Sequence, residues 1–486
     1  MPPIYVYLWF DIEDYVSRES DDLPLTAFRI LDKYGVRATC KIVAEKIRIL
    51  EENNRKDIIS AISRHDVGYH LDTHSRHPTL YEYLADLDVR SGAEEFYERE
   101  HSGLEELARV FSRNPSCFGH PGPTWAPQVY PALTRMNIPV YLDETPILNL
   151  RGQPYWYCGL LNLNGANENF ISFDYTFEKA TGITEVKRRF KKIHDRLQKS
   201  GGGAVSVLFH LHTAINRKFW DEVNFGNGTN IPREAYRRPP AQPPEITQRA
   251  WKNFDELIGY ISSFEDVIFI TASDATRIYQ RSRHVTISRK QLTQVARHFR
   301  VSTGYFEKDG SVMSPAEAFY ALTTALVAIT SGSFHEEIEL REPLGPLAPF
   351  RSIGKRTLQT RDLIESAKLV VNYISREEYL PSNISIGTYT VLSPEDFLAT
   401  VCKLLLVLVS GKPMPQAMSL SRGRPPDLKC INAANFRKAC KWKVLPRNFR
   451  APKILQQIRL QAWTLRPAVA ASPPESDNSP LGLRAT

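Results

Sequence analysis

The sequence predicts an α/β protein in which a distorted, TIM-like (β/α) barrel is followed by a smaller, mainly helical domain with an internal repeat. Three observations support this fold class. Short apolar segments alternate with helical patterns up to about residue 280, which favours a parallel sheet. Polar residues that can bind metals or transfer protons follow directly after several of these apolar segments. Beyond about residue 285, helices follow one another and two stretches resemble each other.

The barrel is predicted for residues 1–280, where strand and helix patterns alternate. The strand segments are, in order, IYVYLWF, RATCKIV, DVGY, PVYL, AVSVLF and VIFIT. Helical spacing of apolar residues is seen at about 24–34, 55–64, 91–112, 183–199 and 245–263. This length is close to that of a closed (β/α) barrel, whose active site forms at the carboxyl ends of its strands.

The helical domain is predicted for residues 285–411 from an internal repeat. SPAEAFYALTTALVAITSG at 314–332 matches SPEDFLATVCKLLLVLVSG at 393–411 at a constant offset of 79. Each copy is predicted as a helix–loop–helix unit, at about 287–332 and 360–411, and each Ser-Pro pair is a good helix start. Two interpretations stay open: the repeats stabilise the barrel or a homo-oligomer, or they bind a ligand.

The remaining residues, 412–486, form a basic, Pro-containing C-terminal tail that is predicted to be partly disordered. This tail holds 14 Lys/Arg residues against three Asp/Glu, a net charge of +11 in a chain of net charge +8. The other residues are therefore close to neutral, and no nucleic-acid partner is expected. The basic segment is either a solvated stretch lying over a slightly acidic protein or a contact for an anionic partner.

Two features indicate a cytoplasmic protein. The six cysteines are scattered, with no CxxC pair, which is typical of free thiols in a reducing compartment. No basic and apolar leader follows Met1, and LLLVLV at 404–409 is far shorter than the ~20 residues that span a bilayer. We therefore expect neither a signal peptide nor a transmembrane segment.

A divalent-metal site is indicated by HLDTH and by the carboxylates of FDIEDY. On a helical turn after the strand DVGY, His70 and His74 would share one face and could bind a single ion. Asp11, Glu13 and Asp14 follow the first strand segment. Two histidines and one carboxylate leave open positions on the ion, an arrangement that suits metal-assisted hydrolysis.

FDIEDY, GYHLDTH, FGHPGPTW and the LFH that ends a late strand, in this order, resemble the polysaccharide deacetylase family (NodB-homology, carbohydrate esterase family four). The resemblance covers about residues 3–275. It implies a distorted (β/α) barrel, Asp11 as the general base and His210 as the general acid. It also implies that a second acidic residue, together with His70 and His74, binds a divalent metal, often zinc.

Two assignments stay open between neighbouring residues. Glu13 fits a variant of the first family motif and is the first choice for the third metal ligand, with Asp14 as the alternative. Asp14 could instead serve as a helix cap or in a loop salt bridge. His212 competes with His210 for the acid role, because side chains two residues apart share a face if the chain stays extended.

The other candidates for the pocket lie in loops at the same end of the barrel. They are His120, Pro121, Trp125, Asp143, His212 and Trp220. Trp125, Phe219 and Trp220 could stack on a sugar ring or could pack against the barrel loops. One departure from the family pattern concerns Gly119, which stands where the third family motif usually has the Arg that orients the base. Asp143 or Asp274, acting through water, would have to hold Asp11, or the activity is altered.

The sequence thus favours a metal-dependent hydrolase that removes an N-acyl group, most simply acetyl, from an amino-sugar or related carbohydrate. One alternative is a hydrolase of another non-peptide linear or cyclic amide C–N bond on the same fold. A second alternative is a carbohydrate-binding or envelope-associated protein with an inactive barrel. All the candidate catalytic residues precede residue 280, so a 1–280 fragment that stays soluble is expected to retain turnover if the helical part is an appendage.

Overall fold

The structure is a computed structural model, and it describes residues 1–470 except for a few short stretches. The residues outside the description are 144, 165–167, 281–285, 303, 309–310, 335–336, 427 and 471–486. The part of the tail that was predicted to be disordered, its Ser/Pro/Asn-rich end, lies outside the described residues.

One large sheet positions the candidate site. Its eleven strands are β1 (Ile4–Ile12), β2 (Thr39–Ile42), β3 (Asp66–Tyr69), β4 (Cys117–Phe118), β5 (Val140–Asp143), β6 (Tyr155–Tyr157), β7 (Leu160–Asn164), β8 (Phe170–Ser172), β9 (Gly203–Phe209), β10 (Val267–Ile270) and the late strand Arg466–Pro467. The central strand β1 is buried along almost its whole length. Burial on both faces explains why its sequence is a continuous apolar run and not an alternating one.

The sheet is curled but open within the part of the chain that the structure describes. Its order is Arg466–Pro467, β6, β7, β5, β4, β3, β2, β1, β9, β8, and β10 pairs with the first half of β1. The α/β class is therefore confirmed, whereas the expected barrel is only a half-barrel. The sheet does not close into a barrel because β10 lies beside β1 and not between the two edge strands. In addition, β6 and the late strand run antiparallel to their neighbours.

Ten helices connect these strands, and their buried faces pack on the sheet. They are α1 (Leu23–Asp32), α2 (Ala44–Glu52), α3 (Lys56–Ser63), α4 (Leu80–Leu84), α5 (Val89–Phe111), α6 (Val129–Arg135), α7 (Gly182–Lys199), α8 (Trp220–Asn224), α9 (Pro244–Ser262) and α10 (Ala272–Ile278). Phe10 of β1, for example, contacts Phe28 of α1 and Phe254 of α9. Helices on the sheet faces leave the strand ends free to hold polar groups.

The repeat segments share one order of elements. The first consists of β11 (Thr286–Ser288), α11 (Arg289–Phe299), β12 (Phe306–Lys308), β13 (Ser311–Met313), α12 (Pro315–Thr330) and β14 (Glu337–Glu339). The second consists of β15 (Thr357–Gln359), α13 (Thr360–Glu377), β16 (Ile384–Ile386), β17 (Thr390–Leu392), α14 (Pro394–Val409) and β18 (Ala417–Ser419). In each, the outer strands pair with each other and the inner strands form a hairpin.

These pairs of short strands correct the expected helix–loop–helix unit, since each loop contains a hairpin. The predicted helix starts are confirmed, because Ser314 and Ser393 accept hydrogen bonds from the backbone of Glu317 and Asp396. The copies pack crosswise, with α11 against α14 and α12 against α13. Their apolar residues form a core separate from that of the sheet. The domain boundaries themselves stay a prediction.

The basic tail was expected to be partly a solvated stretch, and the structure differs from this expectation. Residues 433–467 form α15 (Ala433–Ala439), α16 (Pro452–Gln461) and the strand β19 (Arg466–Pro467), which adds to the large sheet beside β6. Phe436, Leu445, Ile454 and Ile458 are buried in the same core as the first 280 residues. These apolar residues, spaced between the basic ones, are the reason that the segment packs.

All six cysteines are free, as the sequence predicts. Among the described residues, no helix has both the length and the apolar character that crossing a membrane requires.

Candidate metal centre

The candidate site lies at the carboxyl ends of neighbouring parallel strands. Asp11 belongs to the end of β1 and Glu13 follows it directly, His70 follows β3, and His210 follows β9. Because β9, β1, β2 and β3 lie side by side, these ends meet at one edge of the sheet. The structure therefore brings the predicted acids and histidines together.

Glu13, His70 and His74 form a compact group that could hold a metal ion. Glu13 Oε2 lies 2.9 Å from His74 Nε2 and 3.2 Å from His70 Nε2. Their ligand atoms all lie within 4.8 Å of one another, and all three side chains are buried. A second group of this kind contains Asp11, Glu13 and His210, so Glu13 is common to both.

The two histidines are oriented through their Nδ1 atoms. His70 Nδ1 lies 2.9 Å from the carbonyl oxygen of Gly119, and His74 Nδ1 lies 2.6 Å from Ser75 Oγ. Ser75 Oγ in turn donates to Asp221, at 2.9 Å. If each Nδ1 carries the proton, each Nε2 lone pair faces Glu13, as in metal sites whose histidines are held by an outer hydrogen bond.

The pair does not sit on a helical turn, contrary to the prediction from its spacing. The loop after β3 turns sharply instead, with positive φ at Leu71 (67°) and His74 (56°). Glu100 supports this loop, since its Oε2 accepts hydrogen bonds from Tyr69 Oη at 2.6 Å and from the backbone of Asp72 at 2.8 Å.

Glu13 is held so that one oxygen faces the histidine pair. Its Oε1 lies 3.1 Å from His212 Nε2 and 3.2 Å from Trp220 Nε1, while Oε2 faces His70 and His74. Burial alone would raise the pKa of Glu13, but the surrounding histidines lower it well below its usual range. Glu13 is thus ionised and can bind a cation.

A divalent cation fits this donor set. Within the described structure His74 Nε2 is buried without a hydrogen-bond partner, although Glu13 Oε2 is only 2.9 Å away. His74 Nε2 and Glu13 Oε2 are thus both placed where they could bind one cation. Two histidines and a carboxylate form a ligand set typical of hydrolytic zinc sites.

Asp11 lies beside this group and contacts two cationic side chains. Its Oδ1 lies 3.1 Å from Lys41 Nζ, and its Oδ2 lies 3.3 Å from His210 Nε2. Burial would raise the pKa of Asp11, but Lys41 and the neighbouring histidines lower it overall. An ionised carboxylate in this position can accept a proton from a water molecule bound nearby.

Gly119 stands where the family motif usually has an arginine next to the base. In this chain Lys41, from a different strand, places a cation beside Asp11. It stands directly beside Asp11 in the register of β1 and β2, and its side chain is fully buried. Its Nζ also lies 3.2 Å from Asp143 Oδ2 and 4.3 Å from the centre of a Trp9 ring. Burial would lower the pKa of Lys41, but Asp11 and Asp143 raise it overall, so the ammonium stays charged.

The absence of a side chain at Gly119 makes room for this lysine. A Cβ atom at Gly119 would overlap Nζ of Lys41 and would lie 2.7 Å from Asp143 Oδ2. A Cβ at Gly68, the next residue in register, would also lie only 3.0 Å from Lys41 Cγ. The glycine and the lysine are therefore linked features of one arrangement.

His210 is paired with a carboxylate that the sequence analysis did not single out. Its Nδ1 lies 2.7 Å from Asp174 Oδ2, and its backbone N–H donates to Asp174 Oδ1 at 2.8 Å. Burial would lower the pKa of His210, but Asp174 and Asp11 raise it well above its usual value. The protonated ring can therefore act as a proton donor near neutral pH.

The alternative metal ligand Asp14 and three of the predicted pocket residues have other surroundings. Asp14 is not in the metal group, because its Oδ1 accepts the backbone N–H of Val16 and Ser17. Trp125 is fully buried and donates to Tyr130 Oη, and Trp220 is fully buried against Glu13, so neither ring offers a face for a sugar. Pro121 is buried too.

His120 and Asp143 lie behind Lys41. His120 Nδ1 lies 2.9 Å from Tyr141 Oη and 3.2 Å from Asp143 Oδ2. Burial lowers the pKa of His120 to about 4, so the ring is neutral. The expected role of Asp143 through water is replaced by its direct contact with Lys41. Asp274 caps α10 through Thr271 and pairs with Arg37 and Arg277, so its partners among the described residues do not include Asp11.

The missed residues left signals in the sequence. Lys41 interrupts the apolar segment RATCKIV, and a lysine in a buried strand needs a paired acid. Asp174 follows the apolar stretch FISF, the same pattern as at the other strand ends. Ser75 and Asp221 gave no comparable signal, because their contact joins two loops that are distant in the sequence.

The sequence matches no protein-family model and no curated protein. Similar solved structures include a protein described as a polysaccharide deacetylase from Mycobacterium smegmatis, 13% identical over 56% of this chain and 89% of its own, with a TM-score of 0.36. PuuE allantoinase is 11% identical over 57% of this chain and 90% of its own, with a TM-score of 0.37. A family 4 acetyl xylan esterase from Clostridium thermocellum, solved with a cobalt ion, is 13% identical over 56% and 90%, with a TM-score of 0.31.

The similar solved structures thus include proteins described as polysaccharide deacetylases and family 4 esterases. One fold can host many activities, and the similarity is low. The function therefore rests on the arrangement of the site.

Proposed function

We propose that this protein is a metal-dependent hydrolase that removes an N-acyl group, most simply acetyl, from an amino-sugar or related carbohydrate. The observation that carries the proposal is the joint presence of a metal-ligand set and an acid–base pair. Glu13, His70 and His74 converge on one point, and Asp11 and His210 lie beside it. Each of these groups has a further partner that orients it.

Glu13 Oε2, His70 Nε2 and His74 Nε2 would hold the ion, with zinc as the first candidate. When bound, a divalent ion supplies a Lewis acid that polarises the acyl carbonyl and makes water more acidic. Ser75 and the Gly119 carbonyl keep the two imidazoles in position, and His212 and Trp220 hold the remaining Glu13 oxygen.

Asp11 and His210 would divide the proton transfers. Asp11 Oδ2 is ionised and accepts the proton of the attacking water, while Lys41 holds Oδ1 and keeps the carboxylate charged. His210 Nε2 donates a proton to the leaving amine, and Asp174 stabilises its protonated ring. The amide C–N bond breaks, and the products are a carboxylic acid and a free amine.

A second candidate is the hydrolysis of another non-peptide linear or cyclic amide. The observation that favours keeping it is the burial of Trp125 and Trp220, the two rings that were expected to stack on a sugar. The acid–base and metal-ligand groups act on the acyl group and do not define the amine. An inactive, purely binding protein is disfavoured by the completeness of the catalytic set.

The test is acetate release from a panel of N-acetylated sugars, alongside allantoin as a cyclic substrate. We expect release from at least one acetylated sugar by the metal-loaded full chain. Asp11→Asn should keep the metal but lose turnover by about 10²–10⁴-fold, because a general base acts in the transition state. Turnover of allantoin alone would favour the second candidate, and a metal-loaded chain that hydrolyses nothing on the panel would contradict the proposal.

A further inference from the structure

A large groove with a basic lining lies next to the metal centre. It has a volume of about 1480 Å³ and is formed by residues 436–455 on one side and by the loop around 218–227 on the other. Its charged lining residues are Lys218, Glu222, Arg437, Lys441, Lys443, Arg447 and Arg450. Six cations therefore face one carboxylate.

Most of these cations lack an acidic partner. Lys443 pairs with Glu222 at 2.7 Å. Within the described part of the chain, the other five basic residues of the lining form no ion pair, and they are exposed. A second basic surface lies on α7, where Lys187 pairs with Glu256 and Lys191 with Asp195. In the groove, five cations without an ion pair among the described residues give a net excess of positive charge.

The groove is held rigidly by backbone hydrogen bonds and buried side chains. The backbone N–H groups of Asn227 and Gly228 donate to the carbonyls of Lys443 and Val444, at 2.8 and 2.9 Å. Val444 is fully buried in a small apolar cluster with Trp220 and other residues of the site loops. A preformed lining loses less entropy on binding than a mobile one.

Trp442 joins the groove to the metal centre. Its ring lines the groove, and the ring centre lies 6.4 Å from that of His74. The same ring packs on the backbone of Gly122, where a Cβ atom would lie only 2.6 Å from it. At the other end, Lys218 precedes Phe219, whose ring lies 5.1 Å from the ring of His210. Trp442 thus belongs both to the lining of the groove and to the immediate surroundings of the metal-ligand group.

We infer that this groove binds the phosphate or diphosphate group of a phosphorylated, N-acylated sugar, the substrate class of the proposed hydrolase. Arg and Lys side chains are the usual partners of phosphate, and several of them match a group that carries more than one charge. The half-buried rings of Trp442 and Phe449 offer apolar faces between the cations. This inference rests on the proposed function for the identity of the sugar and its acyl group.

Binding can be measured without turnover by using the full chain with Asp11→Asn. The probes are N-acetylglucosamine, its 1-phosphate, UDP-N-acetylglucosamine and a short single-stranded oligonucleotide, titrated by calorimetry. We expect at least one phosphorylated sugar to bind about tenfold or more tightly than the neutral sugar, and its affinity to fall as salt is raised. Comparison of the two phosphorylated sugars shows whether a monophosphate or a diphosphate is preferred.

The groove is tested by Arg437→Gln, Lys441→Gln and Arg450→Gln combined. The matched control combines Lys412→Gln, Arg424→Gln and Lys438→Gln, which are exposed basic residues outside the groove and change the net charge equally. We expect the groove variant to lose about tenfold or more in affinity for the phosphorylated sugar and the control to lose less than threefold. Circular dichroism establishes that both variants are folded.

Equal binding of neutral and phosphorylated sugars by the Asp11→Asn chain would overturn the inference, as would equal losses in the two combined variants. Tight binding of the oligonucleotide alone would also overturn it. Groove-dependent binding of a phosphorylated sugar by a chain whose unmutated form hydrolyses no acylated compound would support the inference and contradict the proposed function. Hydrolysis of neutral acetylated sugars without any phosphate binding would do the reverse.

Discussion

A fully buried lysine is costly unless acids compensate its charge, and Lys41 lies between Asp11 and Asp143. The sequence showed the lysine but not its role, because the role depends on strand register and on the space left by Gly119. The family resemblance directed attention to the wrong strand for this cation. Asp11, His70 and His210 were predictable, since each follows an apolar segment, and His74 was predictable from its spacing to His70.

Replacement of Lys41 should therefore impair turnover more than metal binding. We expect Lys41→Met to lower kcat by about tenfold or more and to lower stability by roughly 3–5 kcal/mol, since two buried carboxylates lose their cation. The combination Lys41→Ala with Gly119→Arg should recover part of kcat by supplying the cation from the end of β4 instead. Steady-state kinetics and thermal melting check this, and a fully active Lys41→Met chain would contradict the role assigned to the lysine.

Glu100 links the stability of the metal loop to pH. Burial raises its pKa to about 7, although hydrogen bonds from Tyr69 and Asp72 oppose this shift. Because the folded-state pKa is higher than that of the unfolded chain, the contribution to stability is complete below about pH 4.5. It is lost as the pH rises through about 7, at up to ~1.4 kcal/mol per pH unit.

Glu100→Gln should remove this dependence, because an amide can accept the same hydrogen bonds without ionising. We expect the melting temperature of the variant to rise relative to that of the original chain as the pH is raised from 4.5 to 8. The measurement is a series of paired thermal melts in buffers of equal ionic strength. A constant difference between the two chains across this range would show that Glu100 does not titrate as described.

At the scale of elements, alternating strands and helices and the Ser-Pro helix starts were predictable because they are local features. The hairpin inside each repeat was not, since strands of three residues give almost no periodic signal. The C-terminal helices α15 and α16 were hidden by the basic residues around them. Their apolar residues are few, and only the packed structure shows that the sheet core receives them.

This packing changes the expectation for truncated chains. A chain that ends at residue 432 loses β19 from the sheet and leaves buried positions such as Phe436 and Ile458 unfilled. We expect it to be insoluble or to melt without a cooperative transition, and we expect the same of the 1–280 fragment. A chain that ends at residue 470 is the matched control and should melt like the full chain. Equal melting of the 1–432 and 1–470 chains would contradict the described packing.

At the scale of the whole molecule, the uneven distribution of charge along the sequence corresponds to one surface of the structure. The excess of basic residues lies in the C-terminal segment, and this segment forms one wall of the groove beside the metal centre. Composition predicted either a solvated stretch or an anionic partner, and it could not decide between them. Which of the two holds depends on the residues that face the basic segment across the groove. These residues belong to a loop some 200 positions earlier in the chain, so composition alone does not reveal them.

The central claim is that Glu13, His70 and His74 hold one divalent ion, and metal analysis tests it most directly. After dialysis against zinc and then against buffer, the full chain should retain about one ion per chain by plasma mass spectrometry. His70→Ala with His74→Ala, and also Glu13→Gln, should retain almost none, because each removes a ligand. Asp14→Asn, the neighbouring acid that the structure places outside the group, should retain the ion. Loss of the ion in Asp14→Asn but not in Glu13→Gln, or a full complement in the double histidine variant, would contradict the account.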